Sequence, residues 1–325
     1  MSTRFALACS ALTAVVLAAT ADNRPSYHQA PATAQHGPAT VERPAAALSP
    51  RQASTEPECN PRASLRPENP LPEPGHMPPG STMARITQRG SLVVGITHDA
   101  YPFSSPGEGL RLDGFDIDIV RDIAEAIFGD RERVVFRPLL AAERLEAARS
   151  GRVDLVVATY TITCQRREKV DFSTVYYEAG QRVLVNRGSA VTGLADLGGK
   201  RVCAGRGTMS LGKILAATPK PIPVGVPTPT DCLVLLQLGE VDALSTDDSV
   251  LAGMTAQDPR TEIVGPRFSE EPYGIAINKD TPDLVRFVNA VLERRVQDGR
   301  WQASYQRWLT LLGPPPSPPA PQYRD

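Results

Sequence analysis

The feature that most constrains this chain is an alternation that runs through its middle and then starts over. The string SLVVGIT at 91–97 reads as a buried strand. Gly114 and Asp116 lead into an amphipathic helix at 119–127, and a second strand is expected at 134–139. A helix at 142–150 stops against Gly151, and 153–159 reads as a third strand. The order then repeats. A strand at 199–204 enters the loop Gly205-Arg206-Gly207-Thr208, and a helix begins near Ser210. A strand at 222–226, a helix at 231–238 and a strand at 241–245, ending at Asp247 and Asp248, complete the second round. Strands alternating with helices imply parallel sheets and an α/β fold, here as two βαβ lobes.

Two further stretches, 181–186 and 273–278, are expected to be the strands that cross between the lobes. The segment 284–312, which carries Trp301 and Trp308, is expected to pack back on the first lobe. The predicted organisation is a signal peptide at 1–21 and a Pro/Ala-rich linker at 22–85, partly docked. Lobe 1 takes 86–184 plus 276–312, lobe 2 takes 185–275, and a Pro-rich tail at 313–325 lies on the surface. The length of 325 residues suits two domains better than one.

Residues 1–21 hold one positive charge (Arg4), an apolar stretch at 5–19 and the A-x-A-like site Ala19-Thr20-Ala21. That make-up predicts export. The linker contains no Phe, Trp or Ile, so it lacks the apolar surface to fold alone. Removing the signal leaves Cys59, Cys164, Cys203 and Cys232. An even number in an exported chain suggests disulfides, and four cysteines allow three connectivities. Cys203 and Cys232 lie in one expected lobe and are paired on that ground, which leaves Cys59 with Cys164 and docks the end of the linker. The alternative is free buried thiols. No C-x-x-C or Cys/His spacing suggests a metal site, and a net charge of −1 argues against nucleic acid as a partner.

The stretch 153–173, VDLVVATYTITCQRREKVDFS, carries the chemistry. The apolar run 155–158 is followed by Thr161, Thr163 and then Arg166. Strand ends are where open α/β sheets bind ligands. A fixed guanidinium among hydroxyls and free N–H groups suits a carboxylate. The competing reading is a solvated basic run of Arg166, Arg167 and Lys169. The full string resembles the "T-x-T-x-x-R-x-x-x-V-D-F-S" signature of the family 3 extracellular solute-binding proteins, and is most like the glutamate/glutamine-binding members of actinobacteria. The resemblance covers roughly 90–313 and, through Cys59, part of the linker. It implies a periplasmic-binding-protein-like type II fold, with two lobes joined by a double-strand hinge that close over a ligand. It also implies capture of an amino acid for an ABC importer, with permease subunits in the membrane as partners, a monomeric state and no cofactor.

The resemblance also suggests a ligand set. Arg166, with Thr161 and the Gly207-Thr208 loop, would meet the α-carboxylate. In VDALSTD at 241–247, Asp247 would meet the α-ammonium, with Asp248 second because adjacent residues on an extended segment face opposite ways; both could instead be solvated helix caps. Arg144 matches the arginine that glutamate-binding relatives turn to the distal carboxylate, against the reading of an exposed helix Arg paired with a Glu. Tyr160, Tyr101 and Phe103 are candidate walls. Thr97 stands where glutamine-binding relatives have an Asp. Arg144, Arg166 and Asp247 sum to +1, which complements glutamate or aspartate. Relatives often carry a lipid-anchoring Cys after a Leu-Ala-Ala triplet; here Thr20 follows Leu17-Ala18-Ala19, which puts a lipid anchor in doubt and favours a secreted protein, or one held by an uncleaved signal, on the outer, cell-envelope side of the cytoplasmic membrane.

Two other classes compete. An enzyme would need an acid or base at the ligand, yet of His28, His36, His76 and His98 only the last lies outside the linker. A sensor would use the same lobes to report to a membrane receptor instead of an importer.

Overall fold

The computed structural model describes residues 59–325 except Glu108 and Leu110. The expected signal peptide and the linker up to residue 58 lie outside the described residues. The first lobe builds on β1 (Ala63–Ser64), α1 (Thr82–Arg89), β2 (Leu92–Ile96), β3 (Ser105–Pro106), β4 (Leu112–Asp113) and α2 (Phe115–Phe128). It continues through β5 (Val134–Pro138), α3 (Arg144–Arg149), β6 (Leu155–Val156), α4 (Cys164–Arg167) and β7 (Asp171–Phe172). After β8 (Tyr177–Ala179) the chain enters the second lobe with β9 (Gln181–Asn186), β10 (Arg201–Gly205), α5 (Met209–Ala216), β11 (Ile222–Val226), α6 (Pro229–Gln237), β12 (Ala243–Asp247), α7 (Asp248–Gln257) and β13 (Thr261–Val264). It returns through β14 (Glu271–Tyr273) and β15 (Ala276–Ile277), then adds α8 (Pro282–Gln297), α9 (Arg300–Trp308) and β16 (Gln322–Tyr323).

Each lobe centres on a five-stranded sheet, ordered β5-β2-β6-β15-β7 in the first and β11-β10-β12-β9-β13 in the second. The expected parallel pairing holds for β5, β2 and β6 and for β11, β10 and β12. The sheets are nonetheless mixed, because β15 and β9 run antiparallel to their neighbours. Both faces of each sheet are covered. Ile123, Val288 and Trp301 pack on one side of the first, and Ala147, Tyr160 and Phe172 on the other. Cys203 and Leu251 cover one side of the second, Val183 and Ile214 the other.

The crossing between lobes differs from expectation. The ladder there is β8 with β14, antiparallel, pairing Tyr177 with Tyr273 and Ala179 with Glu271. Residues 181–186 instead form β9, inside the second sheet between β12 and β13. The reason lies in their side chains: Val183 and Val185 enter one core cluster and Leu184 the other, as an apolar strand with two buried faces requires. The strand expected at 153–159 is likewise shortened to β6, and past it the backbone takes a left-handed turn at Thr159, whose φ is +44°.

The expected linker end at residue 85 falls inside α1. Ser81 caps this helix by accepting from the Ala84 N–H, and Gly90 closes it in the left-handed region at φ +86°; the cap alone contributes about 1 kcal/mol. Met83 and Ile86 are buried in the first core. Upstream, Cys59 is bonded to Cys164, and Cys203 to Cys232. Arg62 pairs with Glu178 on β8 and, at 2.8 Å, with Glu270 just before β14, so it bridges the two crossing strands. The tail joins the same region: β16 pairs in parallel with β1, and Arg324 reaches Asp171 at 2.8 Å.

Candidate ligand-binding site

A cleft opens between the two sheets at the carboxyl ends of β2, β6, β10 and β12, where such folds hold ligands. Its cavity volume is about 50 Å³. About 10–15 Å³ suffices to admit a water, so the cleft is open to solvent-sized groups.

Arg166 comes from α4, a single turn whose first N–H groups meet the cap Thr163: the Arg166 N–H donates to Thr163 Oγ1 at 3.2 Å. The Cys59–Cys164 bond fixes the same, amino end of this turn. The Arg166 guanidinium donates to Thr161 O at 2.6 Å and, across the cleft, to Gly207 O at 3.5 Å. It lies 4.3 Å from the centre of the Tyr160 ring. Burial lowers its pKa, opposed by Tyr160, Glu271 and Asp247.

Arg144 opens α3 and is 5% exposed, so it is not a solvated helix residue. Its Nε donates to Ala141 O at 3.2 Å and Nη1 to Ala158 O at 2.7 Å. It also sits on Tyr160, 4.8 Å from the ring centre. Burial, then the neighbouring Arg166 guanidinium, push its pKa down to about 10, which still leaves it cationic at neutral pH. Two cations sharing one aromatic ring gain attraction from its electron-rich face. They repel each other unless an anion comes between them.

Asp247 ends β12 and is 7% exposed. The Tyr273 hydroxyl donates to its Oδ2 at 2.5 Å and lies 2.9 Å from Ser249 Oγ. Its carboxyl is pushed up to about 7, first by burial and then by Glu271, against the Tyr273 hydrogen bond. A buried carboxylate with one donor retains acceptor sites for an ammonium. Asp248 faces away: it accepts from the Gly180 N–H at 3.2 Å and pairs with Arg267.

Thr97, Tyr160, Thr161 and Thr208 line the cleft with these charged groups. Thr208 stands at the start of the helix that follows the loop. Its hydroxyl donates to Gly205 O at 2.6 Å and accepts from the Leu211 N–H at 3.2 Å, capping α5. What it presents to an anion is therefore the helix start, with the Met209 and Ser210 N–H groups. Gly207, at φ +76°, faces the first lobe so closely that a Cβ there would lie 2.6 Å from Ala142 Cα. The other two expected walls are elsewhere: Tyr101 is 37% exposed outside the cleft, and Phe103 is in the core. His98 reaches the rim and is exposed. Asp116 and Thr159 were not singled out from sequence as site residues, yet Thr159 lines the cleft and its N–H donates to Asp116 Oδ2 at 2.9 Å.

Two mixed α/β lobes, crossed by a pair of strands and facing each other across a charged cleft, make up the type II periplasmic-binding fold. The chain belongs to the bacterial extracellular solute-binding proteins, family 3, whose model matches residues 92–311. It is 36% identical over 231 residues to the ABC transporter glutamine-binding protein GlnH of Bacillus subtilis, covering 70% of this chain and 84% of that protein. It is 31% identical over 248 residues to the glutamate-binding protein GluB of Corynebacterium efficiens, covering 71% and 81%. Among solved structures, an ancestral arginine-binding protein bound to glutamine matches with a TM-score of 0.64 at 35% identity, covering 68% of this chain and 98% of that one.

Proposed function

We propose that this protein binds a free amino acid with an acidic side chain, glutamate or aspartate, outside the cytoplasmic membrane and delivers it to an ABC importer by closing the cleft. The observation that carries this reading is the pair of guanidiniums, Arg144 and Arg166, stacked on Tyr160; of the two carboxylates that line the cleft, Asp99 and Asp247, only Asp247 is buried with them. A zwitterionic head needs one cation and one anion, Arg166 and Asp247. The second guanidinium then needs an anion of its own, since a buried charge is tolerated only when paired. Glutamate and aspartate supply it; their amides leave it under-paired. Thr97, in place of an acid at the end of β2, supports the same preference because it adds no negative charge. Relatives named for glutamine and for glutamate bracket this choice. The partners in this reading are the permease subunits, engaged by a monomer.

Calorimetric titration of the oxidised full-length protein with glutamate, aspartate, glutamine, asparagine and arginine tests it. The acids are expected to bind tightest. Glutamine or arginine binding tighter than either acid overturns the charge argument.

A further inference from the structure

One peptide group beside Arg144 is gripped from both sides. Its N–H, that of Thr159, donates to Asp116 Oδ2 at 2.9 Å, and its C=O, that of Ala158, accepts from Arg144 Nη1 at 2.7 Å. Among the described residues Thr159 is the only non-glycine with positive φ, at +44°. A β-branched residue keeps that conformation only where its surroundings hold it. Asp116 is in place to do so from the first turn of α2. It is 0% exposed; its Oδ1 makes no well-formed hydrogen bond among the described residues, although the buried Tyr176 hydroxyl beside it favours its charge. A buried carboxylate without full satisfaction is unfavourable for the fold alone. Burial raises the Asp116 carboxyl to about 7, while the Thr159 N–H, the Tyr176 hydroxyl and then the Arg144 charge favour its ionised form.

An anion on the N–H side of a peptide makes the oxygen on the other side a better acceptor, because hydrogen bonds in a chain polarise one another. Arg144 thus feels Asp116 both directly, as a nearby charge, and through the bond that aims its guanidinium. We propose that Asp116 is a positioning residue of the ligand site. Acting through the Ala158–Thr159 peptide, it aims Arg144 and offsets part of its charge, and so sets how strongly the site prefers an acid to its amide. The inference rests on the reading that Arg144 meets the distal group of the ligand.

Asp116→Asn keeps the shape and can still accept from the Thr159 N–H, but removes the charge. Glutamate and glutamine affinities are measured for the wild type, for Asp116→Asn, and for both in an Arg144→Ala background. The expected result is a rise of about tenfold in the glutamate-to-glutamine ratio, within the range of coupling between neighbouring charged groups. In the Arg144→Ala background the ratio should not move. Loss of affinity for both ligands with an unchanged ratio marks a structural role only and overturns the proposal. NMR of the ligand-free protein provides an arm independent of ligand identity. Both the Thr159 amide and the Arg144 Nε–H resonances are expected to shift in Asp116→Asn. A shift at Thr159 alone overturns the proposal, whether or not any acidic amino acid binds. If the wild type binds neither ligand while both resonances shift, the functional reading fails and the positioning of Arg144 stands.

Discussion

At the scale of single residues, the site divides its work by what each charge is fastened to. Arg166 is fixed by Thr161 O on its own side and reaches Gly207 O on the other, so it suits the part of a ligand common to all amino acids. Arg144 is fixed only to its own lobe, through Ala141 O and Ala158 O, and suits the variable part. Replacing Arg166 by Ala is expected to abolish measurable binding. Arg144→Ala should weaken acids by about 2–5 kcal/mol, the usual loss when one partner of a buried pair is removed, and amides much less. Titration of both ligands decides it; equal losses would remove Arg144 from the side-chain role. Arg166 and Asp247 stand out in the sequence because ionisable residues follow apolar strands there. Asp116 does not. It sits in an amphipathic helix where acids are ordinary, and only folding brings it against Thr159, 43 positions away.

At the scale of elements, the one-turn helix α4 is too short to hold itself. Isolated helices of one turn are unfavourable because nucleation fixes several residues for a single hydrogen bond. Its order comes from outside: the bond of Cys164 to Cys59, and Arg167 Nε donating to Pro61 O at 3.0 Å. Cys203 and Cys232 join β10 to α6 within the second lobe. Removing either pair by Ser substitution should cost about 2–5 kcal/mol of stability. Only Cys59→Ser with Cys164→Ser should also weaken ligand several-fold at temperatures well below unfolding. Equal affinities for the two double variants would show that α4 holds Arg166 without help. Helix ends were legible where glycine speaks locally, as Gly151 does at φ +69° just past α3. The crossing strands were not. Tyr177–Ala179 is three residues long with Glu178 at its centre, and its identity comes from its partner β14 rather than from any pattern of its own.

At the scale of the whole molecule, the lobes meet where glycine leaves room. A Cβ on Gly253, in α7, would lie 1.9 Å from Tyr101 O in the first lobe. No backbone strain is involved there, so the effect of a side chain is purely steric. Gly253→Ala should hold the lobes apart. We expect weaker binding by about 5- to 150-fold, from an overpacking cost of about 1–3 kcal/mol, and a larger radius of gyration by X-ray scattering with ligand present. Gly212→Ala, in α5 with nothing within 4 Å of the added carbon, is the control: it should be neutral in binding and stabilise the helix by up to about 1 kcal/mol. Unchanged scattering and affinity in Gly253→Ala would show that the two surfaces yield. The two-lobe plan was legible because the strand–helix order repeats, whereas the approach at Gly253 depends on two surfaces that share no local signal.

The place of β15 in the first sheet bears on the order in which the lobes can be made. Ala276–Ile277 lies between β6 and β7, so that sheet waits for a segment produced long after its other strands. The second sheet draws all five strands from one continuous stretch, Gln181 to Val264. A chain that emerges amino end first can therefore complete the later lobe before the earlier one. Until Ile277 arrives, β6 and β7 present unpaired edges to whatever surrounds the growing chain, and this is the interval in which a chaperone would be most useful.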